Sequence, residues 1–212
     1  MSSSLHSNPL TAKRLYLASQ SPRRLELLRQ IGLEPTVLPL RAAPGRVDVD
    51  ETPFVDEPAT DYVLRLARMK ALAGAEVQQG RNLPHWPLLA ADTTVTIDGQ
   101  ILGKPVDFVE AADMLRRYSG RAHTVLTAVA AAYLGRLEVT LSESVVTFKT
   151  HSEAEILAYL ATREGYGKAG GYGIQGRAAL FIEHLSGSYS GVMGLPLFET
   201  SELLKSVGFE IL

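Results

Sequence analysis

The amino-acid sequence predicts an α/β fold with a mixed, twisted sheet flanked by helices. Apolar, strand-like segments alternate with amphipathic helical ones along the chain, which is typical of this class. Antiparallel pairing is also predicted, because Asp98-Gly99 is a strong hairpin signal and two long β-rich segments turn at Gly135. The 212 residues are enough for one complete core, with room for two lobes around a cleft.

Composition excludes several classes of function. The 21 basic and 23 acidic residues nearly balance, so charge gives no reason to expect binding to nucleic acid or to a membrane surface. The absence of cysteine rules out disulfides, thiol nucleophiles and cysteine-based metal sites. The longest apolar run, from Val125 to Leu134, is far shorter than the ~20 residues that span a bilayer. We expect a cytoplasmic protein without a membrane anchor.

The chain is predicted to begin with a mobile tail at 1–13, where no apolar run of signal-peptide type occurs, followed by a single domain at 14–212. A strand at 14–18 opens this domain. Ser21 is a suitable N-cap and Pro22 a suitable first residue for a helix that runs to about residue 31.

Two arginines, Arg23 and Arg24, occupy the first turn of this helix. The helix dipole is positive there, so each cation is disfavoured by roughly 0.3–1 kcal/mol unless an anion binds nearby. With the hydroxyls of Ser19 and Ser21 and the free N–H groups of the helix start, they could form a phosphate cradle. A solvated basic helix end is an equally good interpretation of these residues alone.

A strand at 36–40 and a polar loop at 41–58 follow. A loop of this length is often functional, although solvation is the simpler interpretation of its acidic residues. Those acidic residues are Asp48, Asp50, Glu51, Asp56 and Glu57. Thr60 is predicted to cap a helix that runs to about residue 78. Lys70 lies in the middle of that helix, where an exposed lysine would need no explanation.

Asp92 is the residue most at odds with its surroundings. It lies in the strand-like segment 87–99, where a carboxylate is costly unless it is paired, hydrogen-bonded or bound to a metal. A functional role is therefore favoured over a structural one. Lys104 follows the hairpin and directly precedes a proline, which stops strand pairing.

Two capping-box patterns, Asp107 with Glu110 and Ser152 with Glu155, predict the starts of two further helices. The remaining predicted elements are strands at 123–134, 136–150, 180–185 and 209–212 and helices at about 107–119, 152–162 and 196–207.

A glycine-rich segment extends from Glu164 to Gly176. Gly171, Gly173 and Gly176 match the G-x-G-x-x-G spacing, but without the strand before and the helix after that a dinucleotide site requires, so we interpret the match as a false positive. The glycines could still let the backbone approach a ligand closely. No P-loop, no nucleophile elbow and no histidine spacing typical of a metal site occurs in the sequence.

Cleavage of a nucleotide phosphoanhydride needs a particular mixture of side chains. Cations neutralise the phosphates, carboxylates hold a Mg²⁺-type ion, and a base activates water. The chain contains candidates for each part, although their convergence depends on the fold. The basic candidates are Arg23, Arg24, Lys70 and Lys104, and the hard oxygen ligands are Glu51 and Asp92.

Six segments of the chain together resemble one protein family. In chain order they read LASQSPRRLELL, RLARMKA, AADTTVTIDGQILGKP, LSESVVTFKT, KAGGYGIQG and GSYSGVMGLPL. They resemble the motifs of the Maf family of nucleoside triphosphate pyrophosphatases, and its dTTP/UTP branch more than its 7-methyl-GTP branch.

The resemblance implies a Maf/ITPase-like fold with a central nucleotide-binding cleft between two lobes. It further implies hydrolysis of dTTP and UTP to the monophosphate and pyrophosphate, with a divalent cation, Mg²⁺ or Mn²⁺, as cofactor. The implied partner is the nucleoside triphosphate substrate, without nucleic acid or membrane, and a homodimer is the oligomeric state considered. The alternatives are a 7-methyl-GTP pyrophosphatase and a nucleotide-binding regulator of cell division without turnover.

The resemblance also implies roles for individual residues. Asp92 matches the proton acceptor of the family and, with Glu51, the metal site. The positions that match substrate-binding residues are Ser19, Arg23, Lys70 and Lys104. The positions that match specificity residues are Arg23, Thr93 and Gln175. The last has a physical basis, because an amide offers one acceptor and donors that complement the O4 and N3–H groups of uracil or thymine.

Two positions depart from the family pattern. Gly167 stands before KAG where an aspartate is common, and the loss of that carboxylate could weaken or retune activity. Gln20 stands in the first motif where glycine is common, and it could tighten the phosphate loop.

Overall fold

The computed structural model describes residues 13–43 and 46–211. The predicted mobile tail lies outside the described residues except for Lys13, which is the first residue of a strand rather than part of a tail. None of the helices in these two ranges combines the length and the apolar character needed to cross a bilayer.

The described chain folds into strands and helices in alternation, as predicted. The strands are β1 (Lys13–Leu17), β2 (Leu33–Val37), β3 (Ala42–Ala43), β4 (Arg46–Val47), β5 (Leu88–Ile97), β6 (Gln100–Leu102), β7 (Ala122–Tyr133), β8 (Arg136–Phe148) and β9 (Ile182–Ser186). The helices are α1 (Pro22–Gln30), α2 (Ala59–Gly80), α3 (Phe108–Tyr118), α4 (Glu153–Ala161), α5 (Tyr189–Met193) and α6 (Leu197–Ser206).

Seven of these strands form one mixed sheet in the order β2-β1-β5-β7-β8-β9, with β6 also paired to β5. β1 is parallel to β2 and to β5, and the other pairs are antiparallel. Both predicted turns are present. Asp98 and Gly99 have φ of 55° and 74°, and Leu134 and Gly135 have φ of 49° and 78°, the left-handed values of a two-residue hairpin. The predicted mixed α/β class is therefore confirmed.

One edge of β5 is open in its middle. On that edge β1 pairs only with Leu88 and Leu89, and β6 pairs only with Val95 to Ile97. The opposite edge pairs with β7 from Leu88 to Thr96. Among the described strands, none covers residues 90–94 on the open edge. Ligands bind at such divergences in α/β sheets because the strands separate there and leave a crevice.

Three hydrophobic cores meet at the unpaired part of the β5 edge, residues 90–94. Leu88 and Ala90 of β5 pack in the core beneath α2, and on the other face Ala91 packs with α1 and α6. Further along that face Val95 and Ile97 belong to a core with α3 and α4. Residues 92–94 lie where these cores end, so polar side chains are accommodated at that point of a strand that is otherwise apolar.

Two predicted element starts are wrong. β2 begins three residues earlier than predicted and pairs in register with β1, from Lys13 opposite Leu33 to Leu17 opposite Val37. α2 begins at Ala59 with Pro58 at the N-cap, so Thr60 lies inside the first turn and caps nothing.

The predicted C-terminal elements also change. The expected strand at 180–185 divides into a 3₁₀ turn, Arg177–Phe181, followed by β9. Of the strand predicted at 209–212, residues 209–211 form no strand, and Leu212 lies outside the described residues. The Lys13 ammonium donates to the Glu210 carbonyl at 2.7 Å and to the Ile211 carbonyl at 2.9 Å, so a side chain satisfies groups that a strand would have paired. The short helix α5, begun by the Ser188 hydroxyl accepting from the Gly191 N–H, was not predicted.

Candidate active site

A cleft of about 730 Å³ opens at the gap on the edge of β5. Its walls are the turn between β1 and α1, the inner face of α2, the residues after β6, the glycine-rich segment and α5. Every residue for which the sequence predicted a role in the site lines this cleft. They are Ser19, Ser21, Arg23, Arg24, Glu51, Lys70, Asp92, Thr93, Lys104 and Gln175.

A lysine bridges two carboxylates at the centre of the cleft. The Lys70 ammonium lies 2.7 Å from Oδ1 of Asp92 and 2.6 Å from Oε1 of Glu51. Asp92 is only 8% exposed, so the ion pair compensates the burial of its charge. Burial raises the pKa of Glu51, but the nearby Lys70 and Lys104 charges outweigh burial, and the pKa ends below its usual value. Glu51 therefore stays ionised.

This arrangement fits a divalent cation in its charge and in its donor chemistry. One cation, the Lys70 ammonium, already sits between the oxygens of Glu51 and Asp92. Within the described residues no group of three or more His, Asp or Glu side chains converges on one point. A Mg²⁺-type ion held here would thus take its other ligands from phosphate oxygens and water, as Mg²⁺ does in many nucleotide sites.

The start of α1 offers hydrogen-bond donors to the cleft. Ser21 occupies the N-cap position as predicted, but its side chain makes no capping bond. Within the described part of the chain, the backbone N–H groups of Arg23 and Arg24 find no acceptor. The Ser19 hydroxyl oxygen accepts from the Ser21 N–H at 3.2 Å and from Arg24 at 3.1 Å, which leaves its own O–H available. The helix start can therefore bind an anion.

Arg24 has a structural role at the cleft. Its guanidinium donates to the carbonyls of Ala91 at 2.6 Å and Gly194 at 2.7 Å and to the hydroxyls of Ser19 and Thr93, each at 3.1 Å. The bond to Ala91 satisfies a carbonyl on the open edge of β5. Burial lowers the pKa of Arg24 and the Asp92 carboxylate opposes that effect. The prediction of a phosphate cradle did not include these four bonds, and phosphate binding by Arg24 stays a prediction.

Arg23 differs from its neighbour. Only its Nε is committed, in a bond to the Met193 carbonyl at 3.3 Å. Its terminal guanidinium nitrogens donate to no atom of the residues described in the structure. A guanidinium with two unused nitrogens at an anion-binding helix start suits a phosphate group.

Thr93 and Gln175 occupy different settings. The Thr93 hydroxyl is 3.0 Å from that of Thr127, which in turn donates to the Gly191 carbonyl at 2.8 Å, so Thr93 of β5 and Thr127 of β7 together link α1 to α5. Gln175 is exposed, and its amide makes no hydrogen bond within 13–43 and 46–211. Lys104 is likewise exposed at the mouth of the cleft.

Sequence reasoning missed two residues of the cleft. Tyr62 lies near the carboxylates, and burial together with the charges of Asp92 and Glu51 raises the pKa of Tyr62 to about 12, so it remains neutral. Lys168 lines the cleft, and burial together with the charge of Arg23 lowers its pKa. The only signal for Lys168 was its place in the KAGGYGIQG motif, because a single lysine among glycines has no periodicity to interpret.

The side chains that line the cleft carry an excess of positive charge. The basic ones are Arg23, Arg24, Arg41, Lys70, Lys104 and Lys168, and the acidic ones are Asp50, Glu51 and Asp92. A polyphosphate would therefore be attracted, in contrast to the near-neutral chain as a whole.

A family model described as Maf-like protein matches residues 14–207. The chain belongs to the Maf family. Among similar Maf relatives, the dTTP/UTP pyrophosphatase of Aromatoleum aromaticum is 54% identical, over 93% of this chain and 97% of the relative. The dTTP/UTP pyrophosphatase of Dechloromonas aromatica is 52% identical, over 92% of this chain and 98% of the relative. The enzyme of the same name from Bordetella avium is 54% identical, over 93% of this chain and 97% of the relative. A solved structure, the Staphylococcus aureus Ham1 protein, aligns at a TM-score of 0.44 and 14% identity, over 64% of this chain and 72% of that one.

Proposed function

We propose that this Maf protein is a nucleoside triphosphate pyrophosphatase that hydrolyses dTTP and UTP to the monophosphate and pyrophosphate. The observation that carries the proposal is the set of relatives bearing that enzyme name, which are 50–54% identical and align over more than nine tenths of the chain. The cleft supports it, because cations, hydroxyl and N–H donors and two carboxylates line one cavity.

The triphosphate is expected to bind along the positively charged wall of the cleft. The Ser19 hydroxyl and the first N–H groups of α1 donate to phosphate oxygens, and the unused guanidinium nitrogens of Arg23 form charge-assisted bonds. Lys104, exposed at the mouth, neutralises phosphate charge without fixing its geometry.

Hydrolysis requires a water molecule to attack the α-phosphorus while the bond to the oxygen bridging to the β-phosphorus breaks. Asp92 accepts the proton of the attacking water, and pyrophosphate leaves with the electron pair of the broken bond. Lys70 holds Oδ1 of Asp92 in place at 2.7 Å and balances its charge. When bound by Glu51 and Asp92, a divalent cation would withdraw charge from the phosphate oxygens.

Gln175 is proposed to read the base. Its amide can accept from the N3–H group and donate to the O4 group of uracil or thymine. A base whose edge leaves one of these groups unpaired loses binding energy, which is the usual source of strong discrimination by polar pockets.

A panel of nucleotides assayed for pyrophosphate release, with and without Mg²⁺ or Mn²⁺, tests the proposal. We expect the purified chain to release pyrophosphate from UTP and dTTP faster than from 7-methyl-GTP, and only with the divalent cation. Faster turnover of 7-methyl-GTP would assign the chain to the other branch of the family. Tight nucleotide binding without pyrophosphate release would instead indicate a non-catalytic regulator.

A further inference from the structure

The glycine-rich segment, Glu164 to Gly176, is held rigidly against itself. A side chain at Gly165 would place its Cβ 1.9 Å from the Gly171 carbonyl oxygen, and one at Gly176 would lie 2.2 Å from the Glu164 carboxylate. That carboxylate accepts from the Arg177 N–H at 2.8 Å, which closes the segment. The backbone on both sides of Gln175 is therefore closely packed, whereas its side chain amide makes no hydrogen bond to a described residue.

An unrestrained amide is a poor discriminator between uracil and cytosine. Uracil presents a carbonyl and an N–H, whereas cytosine presents an amino group and a ring-nitrogen acceptor in the corresponding positions. A carboxamide that rotates by half a turn exchanges its donor and its acceptor, so it can pair with either edge. Because Gln175 makes no hydrogen bond to any described residue, selectivity needs a further group that fixes its orientation.

Lys168 is placed to provide that group. Its ammonium donates to the Glu164 carbonyl, which anchors the end of the side chain inside the segment. Its Cε and the Oε1 of Gln175 both lie over Gly173, at 3.0 Å and 3.4 Å from the position that a Cβ on this glycine would occupy. Lys168 and the oxygen end of the Gln175 amide thus share the space above one glycine.

We propose that Lys168 is a specificity-determining residue, whose ammonium holds the Gln175 oxygen on its own side and so selects one of the two orientations of the amide that faces the base. An ammonium is a donor only, so it attracts the amide oxygen and repels the NH₂ end. In that orientation the oxygen accepts from the N3–H group of uracil or thymine and the NH₂ group donates to O4, whereas with cytosine the oxygen faces the ring nitrogen acceptor and the NH₂ group faces the amino group. This inference rests on the proposed reading of the base by Gln175.

The test compares the affinities of UMP and CMP, measured by calorimetry on the full chain, so that its result does not depend on turnover. We expect Lys168→Met to reduce the preference for UMP over CMP by about tenfold, chiefly by improving CMP binding. Lys168→Arg keeps a donor-only cation and should retain most of the preference. Lys149→Met, which removes a lysine paired with Glu155 outside the cleft, is the matched control and should change neither affinity.

Two further variants separate orientation from charge. Gln175→Glu offers acceptors only, which repel the O4 group of uracil and the ring nitrogen of cytosine alike, so it should remove most of the preference for UMP. In Gln175→Ala no amide remains to be turned, so adding Lys168→Met should leave the ratio of affinities unchanged. The proposal is overturned if Lys168→Met weakens UMP and CMP equally, as loss of a phosphate contact would do, or if it still changes the ratio in the Gln175→Ala background. If UTP is not hydrolysed but these binding shifts occur, the proposed activity fails and this inference stands.

Discussion

The two ends of the cleft are built in different ways. The helix end comprises α1 and the centre of β5, and its charged side chains are positioned by hydrogen bonds and ion pairs. Arg24 donates to four oxygens, and Lys70 lies between two carboxylates. At the glycine-rich end the backbone is held by close packing over buried aromatic rings. The hydroxyl of Tyr118 donates to the Gly170 carbonyl at 3.1 Å, and Tyr172 lies 2.7 Å from Nε2 of His123.

The difference implies a division of labour. Fixed charges suit the helix end, where phosphates bind and charge develops during hydrolysis. A rigid backbone of small residues suits the other end, where a base must be matched by shape and by a few hydrogen bonds. Substitutions of the helix-end residues that face the phosphates should therefore change rates and affinities for every nucleotide, whereas substitutions of the glycine-rich-end residues that face the base should change selectivity.

Asp92→Asn should have the largest effect. It removes the proton acceptor but keeps the shape of the side chain, so we expect turnover of UTP to fall by about 10³-fold. Initial rates of pyrophosphate release measure it. Asp98→Asn, at the exposed turn between β5 and β6, is the control and should keep the wild-type rate. A variant at position 92 that retains most of the activity would remove the proposed base.

Arg24→Lys should be the most damaging conservative change at the helix end. One ammonium cannot reproduce four bonds to diverging oxygens, and an unpaired buried carbonyl costs about 1–3 kcal/mol. We expect the free energy of unfolding to fall by about 2–3 kcal/mol in urea titrations. Arg29→Lys, on the exposed last turn of the same helix, should change it by less than about 0.5 kcal/mol. Equal stability of the two variants would contradict the structural role.

At the glycine-rich end, stability should depend on pH through His123. Burial lowers the pKa of His123 to about 4, whereas its ordinary value is 6.5. As the pH falls from 6.5 to 4, the unfolded chain binds a proton that the folded chain does not, so folding is progressively disfavoured. The loss should reach up to roughly 3 kcal/mol. Unfolding of the wild type and of His123→Gln, measured across this range, should diverge; parallel curves would show that His123 contributes nothing.

The smallest effect is expected at Gly167, the residue before the KAG sequence. Its φ of +69° is in the left-handed region, although nothing lies within 4 Å of a Cβ there. Gly167→Asp should therefore fit but destabilise the fold by about 1 kcal/mol through backbone strain. Gly103→Asp is the control: it adds the same charge to the cleft, and its side chain also enters open space, but Gly103 does not have a positive φ. The difference between the melting temperatures of the two variants therefore measures the backbone strain at residue 167. Equal melting temperatures would contradict this account.

The sequence predicted the parts of the site that have local signals. Asp92 was conspicuous because it is an acidic residue in an apolar strand. Arg23 and Arg24 were conspicuous because they are cations at the helix end where the dipole is positive. The separate function of Arg24 could not be predicted, because it depends on the carbonyls of Ala91 and Gly194, which are distant in the chain.

Contacts between residues that are distant in the chain explain the other wrong or absent predictions. The terminal strand was wrong because Lys13, nearly 200 residues away, binds the carbonyls of Glu210 and Ile211. Lys168 and Gln175 lie over the same glycine, Gly173, only because the glycine-rich segment folds back on itself. Neither arrangement leaves a pattern that periodicity or spacing can detect.

The most direct test of the account is a crystal structure with Mg²⁺ and the non-hydrolysable analogue α,β-methylene-UTP. We expect the α-phosphate to lie beside Asp92 and Arg23 while the uracil edge contacts Gln175, so that one nucleotide joins the two ends of the cleft. A nucleotide bound with its base away from Gln175, or with its phosphates away from Asp92, would contradict the account.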